Sequence, residues 1–240
     1  MKLAQLGRYC FALALLAFGV QHFVYAKYSA GIGPPWIPGH TLRACLMGTV
    51  LVLASLAIIT GRKAHCAAIT LACVFFIYFL LAYAPRIVAH LHDPGPWTSG
   101  AEIVAFCGVS CALAASFAKR PASRAWMSHS LFALTLIVFG VQHLIYGPFV
   151  ATLVPALIPG HLFFAYGIGV AFLATALSLL SNIQARLAAI LLGIMFFSWV
   201  FILHLPRVLA ASTNGNEWTS MFVALAMSGG AWIVAGDTQA

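Results

Sequence analysis

Charged side chains are scarce in this sequence: Lys, Arg, Asp and Glu make up 7% of its 240 residues, and 4 of them are acidic. A soluble domain carries about 25% charged residues, so this chain has too few charges to cover a surface that faces water. Because 63% of the residues are hydrophobic, most of the chain must face lipid instead. The composition excludes an ordinary soluble protein and indicates an integral membrane protein.

Common cofactor and metal motifs are missing as well. The six cysteines include no Cys-x-x-Cys pair, and no two histidines follow a His-x-x-x-His spacing. We therefore predict no covalently attached cofactor and no metal site. The net charge of +8 comes from basic residues that stand singly or in pairs between apolar runs, not on a basic face with exposed aromatics. We therefore expect a lipid bilayer as the partner and no nucleic acid.

Eight apolar runs are each long enough to cross a bilayer, which takes about 20 residues in a helix. The alternating pattern of a barrel strand is absent, and only helices satisfy their own backbone groups in lipid. The sequence therefore predicts an all-α integral membrane fold. The predicted helices cover residues 8–26, 41–60, 64–84, 100–118, 129–147, 162–181, 185–205 and 219–235.

Four short motifs occur twice, and the members of every pair are 121 positions apart. The motifs are FGVQH (18–22 and 139–143), IPGH (37–40 and 158–161), Pro-Arg (85–86 and 206–207) and Trp-Thr-Ser (97–99 and 218–220). Such self-similarity at one spacing indicates duplication of a unit. We predict two four-helix repeats, residues 1–120 and 121–240. Each has an even number of spans, so the two should form parallel-repeat four-helix bundles.

Charge distribution predicts the orientation. Eight of the twelve Lys and Arg residues fall on the side of the N-terminus, and four fall on the other side. Positive residues favour the cytoplasm, so we predict a multi-pass protein of the cell inner (plasma) membrane with both termini cytoplasmic. The minority on the outer side are Lys27, Arg43, Arg86 and Arg207.

Local signals predict where several helices begin and end. Gly61 should end the second helix, and a Pro-Gly pair should precede the second helix of each repeat. Thr98 and Thr219, each followed by Ser, are predicted N-caps of the fourth helices. Pro85 and Pro206 are predicted to end the third helices.

Every repeated polar motif maps to the outer side, where four elements of each repeat converge. We predict one outer pocket per repeat, built from a histidine in the first helix, a histidine that opens the second and an arginine from the third. The candidate ligand-binding residues are Gln21, His22, His40 and Arg86, with their copies Gln142, His143, His161 and Arg207.

Each candidate also has a structural interpretation. His22 and His143 could bond a neighbouring loop, bind a ligand or proton, or ligate a metal or haem; ionisable groups within an apolar helix are costly, which favours function. His40 and His161 could be polar entry residues after a tight turn. The arginines could be interface anchors paired with acidic residues, or clamps for an anion or a quinone carbonyl. Trp36, Trp97 and Trp218 fit the aromatic belt at a membrane interface.

The motif Gly19-x-x-His22-Phe23, followed by Pro34-Pro35-Trp36-Ile37-Pro38-Gly39, resembles the DoxX-like membrane family, and the second repeat offers a similar pattern. That family usually has a Glu in the second helix, whereas neither second helix here contains one. The resemblance implies four-helix membrane bundles and a link to respiratory or sulfur redox chemistry, since some relatives are subunits of thiosulfate:quinone oxidoreductases.

Three functions follow as hypotheses. The first is an oxidoreductase-associated membrane subunit that holds a quinone or a similar amphiphile at the outer leaflet and works with other redox subunits. The second is a non-catalytic scaffold or assembly subunit. The third is a small-solute transporter, which the shortage of polar residues at mid-membrane disfavours. No catalytic residue is assigned, and the sequence leaves open whether the protein is an enzyme.

Overall fold

The computed structural model describes residues 2–25, 39–118 and 126–237. Eight of its helices are long and apolar enough to cross a membrane, which confirms the predicted all-α membrane fold. They are α1 (Lys2–Val24), α2 (His40–Thr60), α3 (Ala64–Ala89), α4 (Pro94–Phe117), α5 (Trp126–Ile145), α6 (His161–Ser181), α7 (Ala185–Ala210) and α8 (Gly215–Asp237). A short helix that the hydropathy pattern did not predict, Gly147–Ala151, lies between α5 and α6.

The outer surface of the helices is apolar. Val88 exposes 72% of its surface, Leu209 exposes 74% and Phe163 exposes 77%. Many other large aliphatic and aromatic side chains are also exposed. A soluble monomer rarely shows contiguous apolar patches on this scale, so this surface suits contact with lipid chains.

Residues with left-handed backbone conformations mark the ends of the second helix in each half of the chain. Gly39 and Gly160 both have φ of 74° directly before α2 and α6, and Gly61 ends α2 at φ 75°. Asn182 takes the same role after α6 at φ 56°. Gly lacks the Cβ that makes this conformation costly, and Asn tolerates it better than most residues. The predicted boundaries at these glycines are confirmed.

The predicted N-caps of α4 and α8 are wrong, because both helices begin a turn earlier. Asp93 caps α4, with its Oδ1 accepting a hydrogen bond of 2.9 Å from the backbone N–H of Gly95. Asn214 accepts an equivalent bond of 3.0 Å from Asn216 ahead of α8. Pro94 stands at the first position of α4, where no N–H is needed. Thr98 and Thr219 therefore lie inside their helices.

The prolines near the ends of α3 and α7 do not end these helices, contrary to the prediction. A π-helical turn, Phe79–Tyr83, precedes Pro85, and the turn Val200–His204 precedes Pro206 in the same way. Pro has no N–H to donate to the preceding turn, and a π turn inserts one extra residue that changes the pairing around it. Both helices then continue for a further turn, which includes Arg86 in α3.

The two halves of the chain interlock rather than forming separate bundles. Helix α1 packs against both α2 and α8, and α5 packs against both α6 and α4. Helices α4 and α8 are the most buried and also contact each other. A Cβ on Gly7 of α1 would lie 2.6 Å from the carbonyl oxygen of Gly229 of α8. Small residues at this crossing let the two backbones approach closely, as at many membrane helix interfaces.

Candidate functional site

One large cavity opens at the end of the molecule that carries His22 and His143, which we call the histidine end. Its volume is about 1480 Å³, and side chains from both halves line it. Its walls are mainly apolar and include many aromatic rings, and polar residues gather where α1 and α5 end and α4 and α8 begin. The polar lining includes Gln21, His22, Thr98, Glu102, Gln142, His143, His204 and Thr219; the aromatic lining includes Phe18, Phe75, Phe106, Phe139, Phe172, Phe196 and Trp199.

His22 and His143 occupy matching positions in this cavity. The Nδ1 of His22 lies 2.8 Å from the carbonyl oxygen of Phe18, and the Nδ1 of His143 lies 2.8 Å from that of Phe139. Because a carbonyl oxygen can only accept, each Nδ1 must carry the proton. In the neutral ring Nε2 is therefore left as an acceptor. The structure thus places both histidines in one cavity, where the sequence predicted two separate pockets.

The two glutamines beside these histidines join the halves of the chain. Thr98 on α4 donates a hydrogen bond of 2.9 Å to Oε1 of Gln142, whose Nε2 donates one of 2.9 Å to the carbonyl oxygen of Pro94. In the other half, Thr219 donates a longer bond of 3.3 Å to Oε1 of Gln21. The Nε2 of Gln21 is buried without a hydrogen-bond partner. The two glutamines therefore occupy equivalent positions but make different hydrogen bonds.

The other predicted site residues do not line this cavity in the part of the chain that the structure describes. Arg207 donates a bond of 2.9 Å to the carbonyl oxygen of Leu153 and so holds the segment after the short helix Gly147–Ala151, which itself borders the cavity. Arg86 and the partly exposed His161 are absent from the cavity lining. The side chain of His40 lies outside the described structure.

Two lining residues that are not among the predicted site residues break the symmetry of the cavity. Glu102 on α4 lies one turn after Thr98, and Val223 occupies the matching position on α8. His204 on α7 matches Tyr83 on α3, and both line the cavity. A lone acidic residue inside an apolar run is costly and points to function, so Glu102 could have been chosen from the sequence.

The predicted belt tryptophans have a structural role. The indole N–H of Trp97 donates a hydrogen bond of 3.1 Å to the carbonyl oxygen of Leu91. The indole N–H of Trp218 donates one of 2.8 Å to the carbonyl oxygen of Ser212. Each bond ties a helix start to the loop before it. Neither ring lines the cavity, whereas Trp199 does. Trp36 lies outside the described residues.

Within residues 2–25, 39–118 and 126–237, no three His, Cys, Asp or Glu side chains are grouped closely enough to hold a metal ion. The site therefore consists of hydrogen-bonding groups at one end of an aromatic cavity. No protein-family model, curated protein sequence or solved structure matches this chain.

Proposed function

We propose that this protein binds an amphiphilic ligand, in particular a quinone, in the cavity at the histidine end, as a redox-linked membrane subunit similar to DoxX. The observation that carries the proposal is the cavity itself, which combines aromatic and aliphatic walls with polar side chains at one end, among them His22 and Gln21. Ligand pockets in proteins typically have this character, with mostly apolar walls and a few polar groups that orient the ligand.

The chemistry of the lining suits a quinone and its reduced form. The flat ring is apolar and can stack on Phe side chains. Its carbonyl oxygens need donors such as the amide N–H of Gln21, whereas quinol hydroxyls need acceptors such as Nε2 of His22. The cavity of about 1480 Å³ exceeds the range of roughly 300–1,000 Å³ that is usual for small-molecule pockets. The extra volume leaves room for a hydrocarbon tail.

The proposal includes two parallel repeats, with the cavity at the outer leaflet of the inner membrane. Its support is the match between contacts of residues 121 positions apart. Cys107 donates a hydrogen bond to the carbonyl oxygen of Ala72. Ser228 donates the matching hydrogen bond to the carbonyl oxygen of Gly193. The excess of Lys and Arg at the opposite end favours cytoplasmic termini.

Quenching of tryptophan fluorescence by a short-chain benzoquinone tests the proposal, because Trp199 lines the cavity. We expect saturable quenching by the purified protein in lipid nanodiscs. Replacing His22 by Leu should raise the Kd about tenfold, which corresponds to about 1.4 kcal/mol. Extraction and mass spectrometry of the native protein should recover a quinone.

His65 supplies the matched control. Its Nδ1 also lies 2.9 Å from a backbone carbonyl oxygen, that of Ala114, but His65 does not line the cavity. The His65→Leu variant should bind the quinone as the wild type does. If it weakens binding as much as His22→Leu, or if the wild type shows no saturable quenching, the proposed function is wrong.

A scaffold function is the second candidate. The bonds that Thr98 makes to Gln142, and that Arg207 makes to Leu153, hold segments of the structure together without any ligand. If the His22→Leu variant loses thermal stability while quinone content and quenching stay unchanged, the polar groups serve the structure and the scaffold function is favoured.

A further inference from the structure

The cavity is built from matching residues, but only one of its two sides has an unpaired hydrogen-bonding group on its glutamine. On the side of α4, the amide of Gln142 has both polar atoms bonded, to Thr98 and to Pro94. We call this the closed side. On the side of α8, the amide nitrogen of Gln21 is buried and unpaired. We call this the open side.

A second unpaired atom lies against the same helix. The Nδ1 of His204 is buried without a partner, and the π-helical turn that carries it packs against α8. Its counterpart on the closed side is Tyr83 of α3. Gln21 and His204 both line the cavity. Buried polar groups are nearly always bonded, so an unpaired pair in one cavity calls for an explanation.

Turning the amide of Gln21 over does not remove the mismatch. The hydroxyl of Thr219 already donates 2.9 Å to the carbonyl oxygen of Gly215. If the amide nitrogen of Gln21 donated to that hydroxyl instead, its oxygen would lose the bond it now accepts. One polar atom of Gln21 is therefore unpaired in either orientation, an N–H donor in the first and a carbonyl acceptor in the second.

We infer that the cavity takes one ligand per chain, and that the ligand head places a hydrogen-bonding oxygen on the open side, against the amide of Gln21 and the ring of His204. This inference rests on the proposed function and adds the side and the number of the bound head. The closed side then acts as a structural joint between the halves.

Paired substitutions test the inference by the same quenching assay with a short-chain benzoquinone. We expect Gln21→Leu to raise the Kd about tenfold with little change in Tm, because Gln21 makes one long bond. Gln142→Leu should change the Kd less than threefold but lower the Tm, because it breaks two bonds of 2.9 Å. His204→Tyr, which installs the residue of the closed side, should also raise the Kd.

Two further measurements keep the inference testable if the Gln21→Leu variant does not fold. Gln21→Met keeps the length and flexibility of the side chain and should weaken binding as Gln21→Leu does. Titration of the wild type should saturate at one quinone per chain. Equal weakening by the Gln21 and Gln142 variants, or two quinones per chain, would overturn the inference and leave the proposed function intact. Absence of any quinone binding by the wild type would overturn both.

Discussion

Thr98 on α4 donates a hydrogen bond of 2.9 Å to Gln142 on α5, and this bond joins the two halves of the chain beside the cavity. The matching bond, from Thr219 on α8 to Gln21 on α1, is 3.3 Å long. The single hydroxyl hydrogen of each threonine is shared with a carbonyl oxygen of its own helix, which lies 2.9 Å from the hydroxyl oxygen. The two sites thus differ mainly in the bond that crosses between helices, which allows a clean comparison.

We predict that Thr98→Val lowers the free energy of unfolding more than Thr219→Val does. Each variant loses the bond within its own helix, and only the bond across helices differs in length. Hydrogen bonds between membrane helices contribute about 0.6 kcal/mol on average and up to roughly 1.7 kcal/mol. Unfolding by titration with a denaturing detergent measures both variants. An equal or larger loss for Thr219→Val would contradict the assignment of the tighter joint.

A second prediction concerns the crossing of α5 and α6. A Cβ on Gly140 would lie 2.6 Å from Cγ of Leu173 and 2.9 Å from the carbonyl oxygen of Gly169. We expect Gly140→Ala to destabilise the protein by about 1–3 kcal/mol through overpacking. Gly167, on α6, has no atom within 4 Å of the corresponding position, so Gly167→Ala is the matched control. Thermal unfolding in detergent compares them, and an equal Tm would refute the tight crossing.

The cap of α4 gives a third prediction. Asp93 satisfies the N–H of Gly95 from an exposed position. Replacement by Ala should therefore cost about 0.5–2 kcal/mol. Asp93→Asn keeps an accepting oxygen and should retain most of the stability. If unfolding experiments show the same loss of unfolding free energy for Asp93→Ala and Asp93→Asn, the hydrogen bond of the cap is not the cause of that loss.

The orientation is a fourth prediction. A reporter enzyme that is active only outside the cytoplasm should be inactive when fused at Arg62 and active when fused at Pro94. Fusions at Gly33 and Pro121 should be active and inactive respectively, since the four sites should alternate between sides. Activity at Arg62 would reverse the orientation and place the histidine end in the cytoplasm.

Several features could be predicted from the sequence because they depend on neighbouring residues. Hydropathy fixes the number of spans, and Gly61 can adopt the left-handed conformation wherever it lies in the fold. The N-caps of α4 and α8, and the effect of the prolines in α3 and α7, could not be predicted correctly in this way. Asp93 is the N-cap because α4 begins at Pro94. Helix α3 continues beyond Pro85 because the π-helical turn before it accommodates the backbone hydrogen bond that proline cannot make. Both outcomes depend on how each whole helix packs.

The sequence by itself determined that this chain is a membrane protein with eight apolar runs long enough to span a bilayer and one set of polar motifs in each half, since local hydropathy and spacing suffice for both. Only the tertiary structure decided that His22 and His143 share a cavity. That sharing requires α1 to pack against α8, and α5 against α4, across the two halves. The difference between the bonded amide of Gln142 and the unpaired amide of Gln21 was decided there too. It depends on how α4 and α8 approach α5 and α1, which no pattern of residue types records.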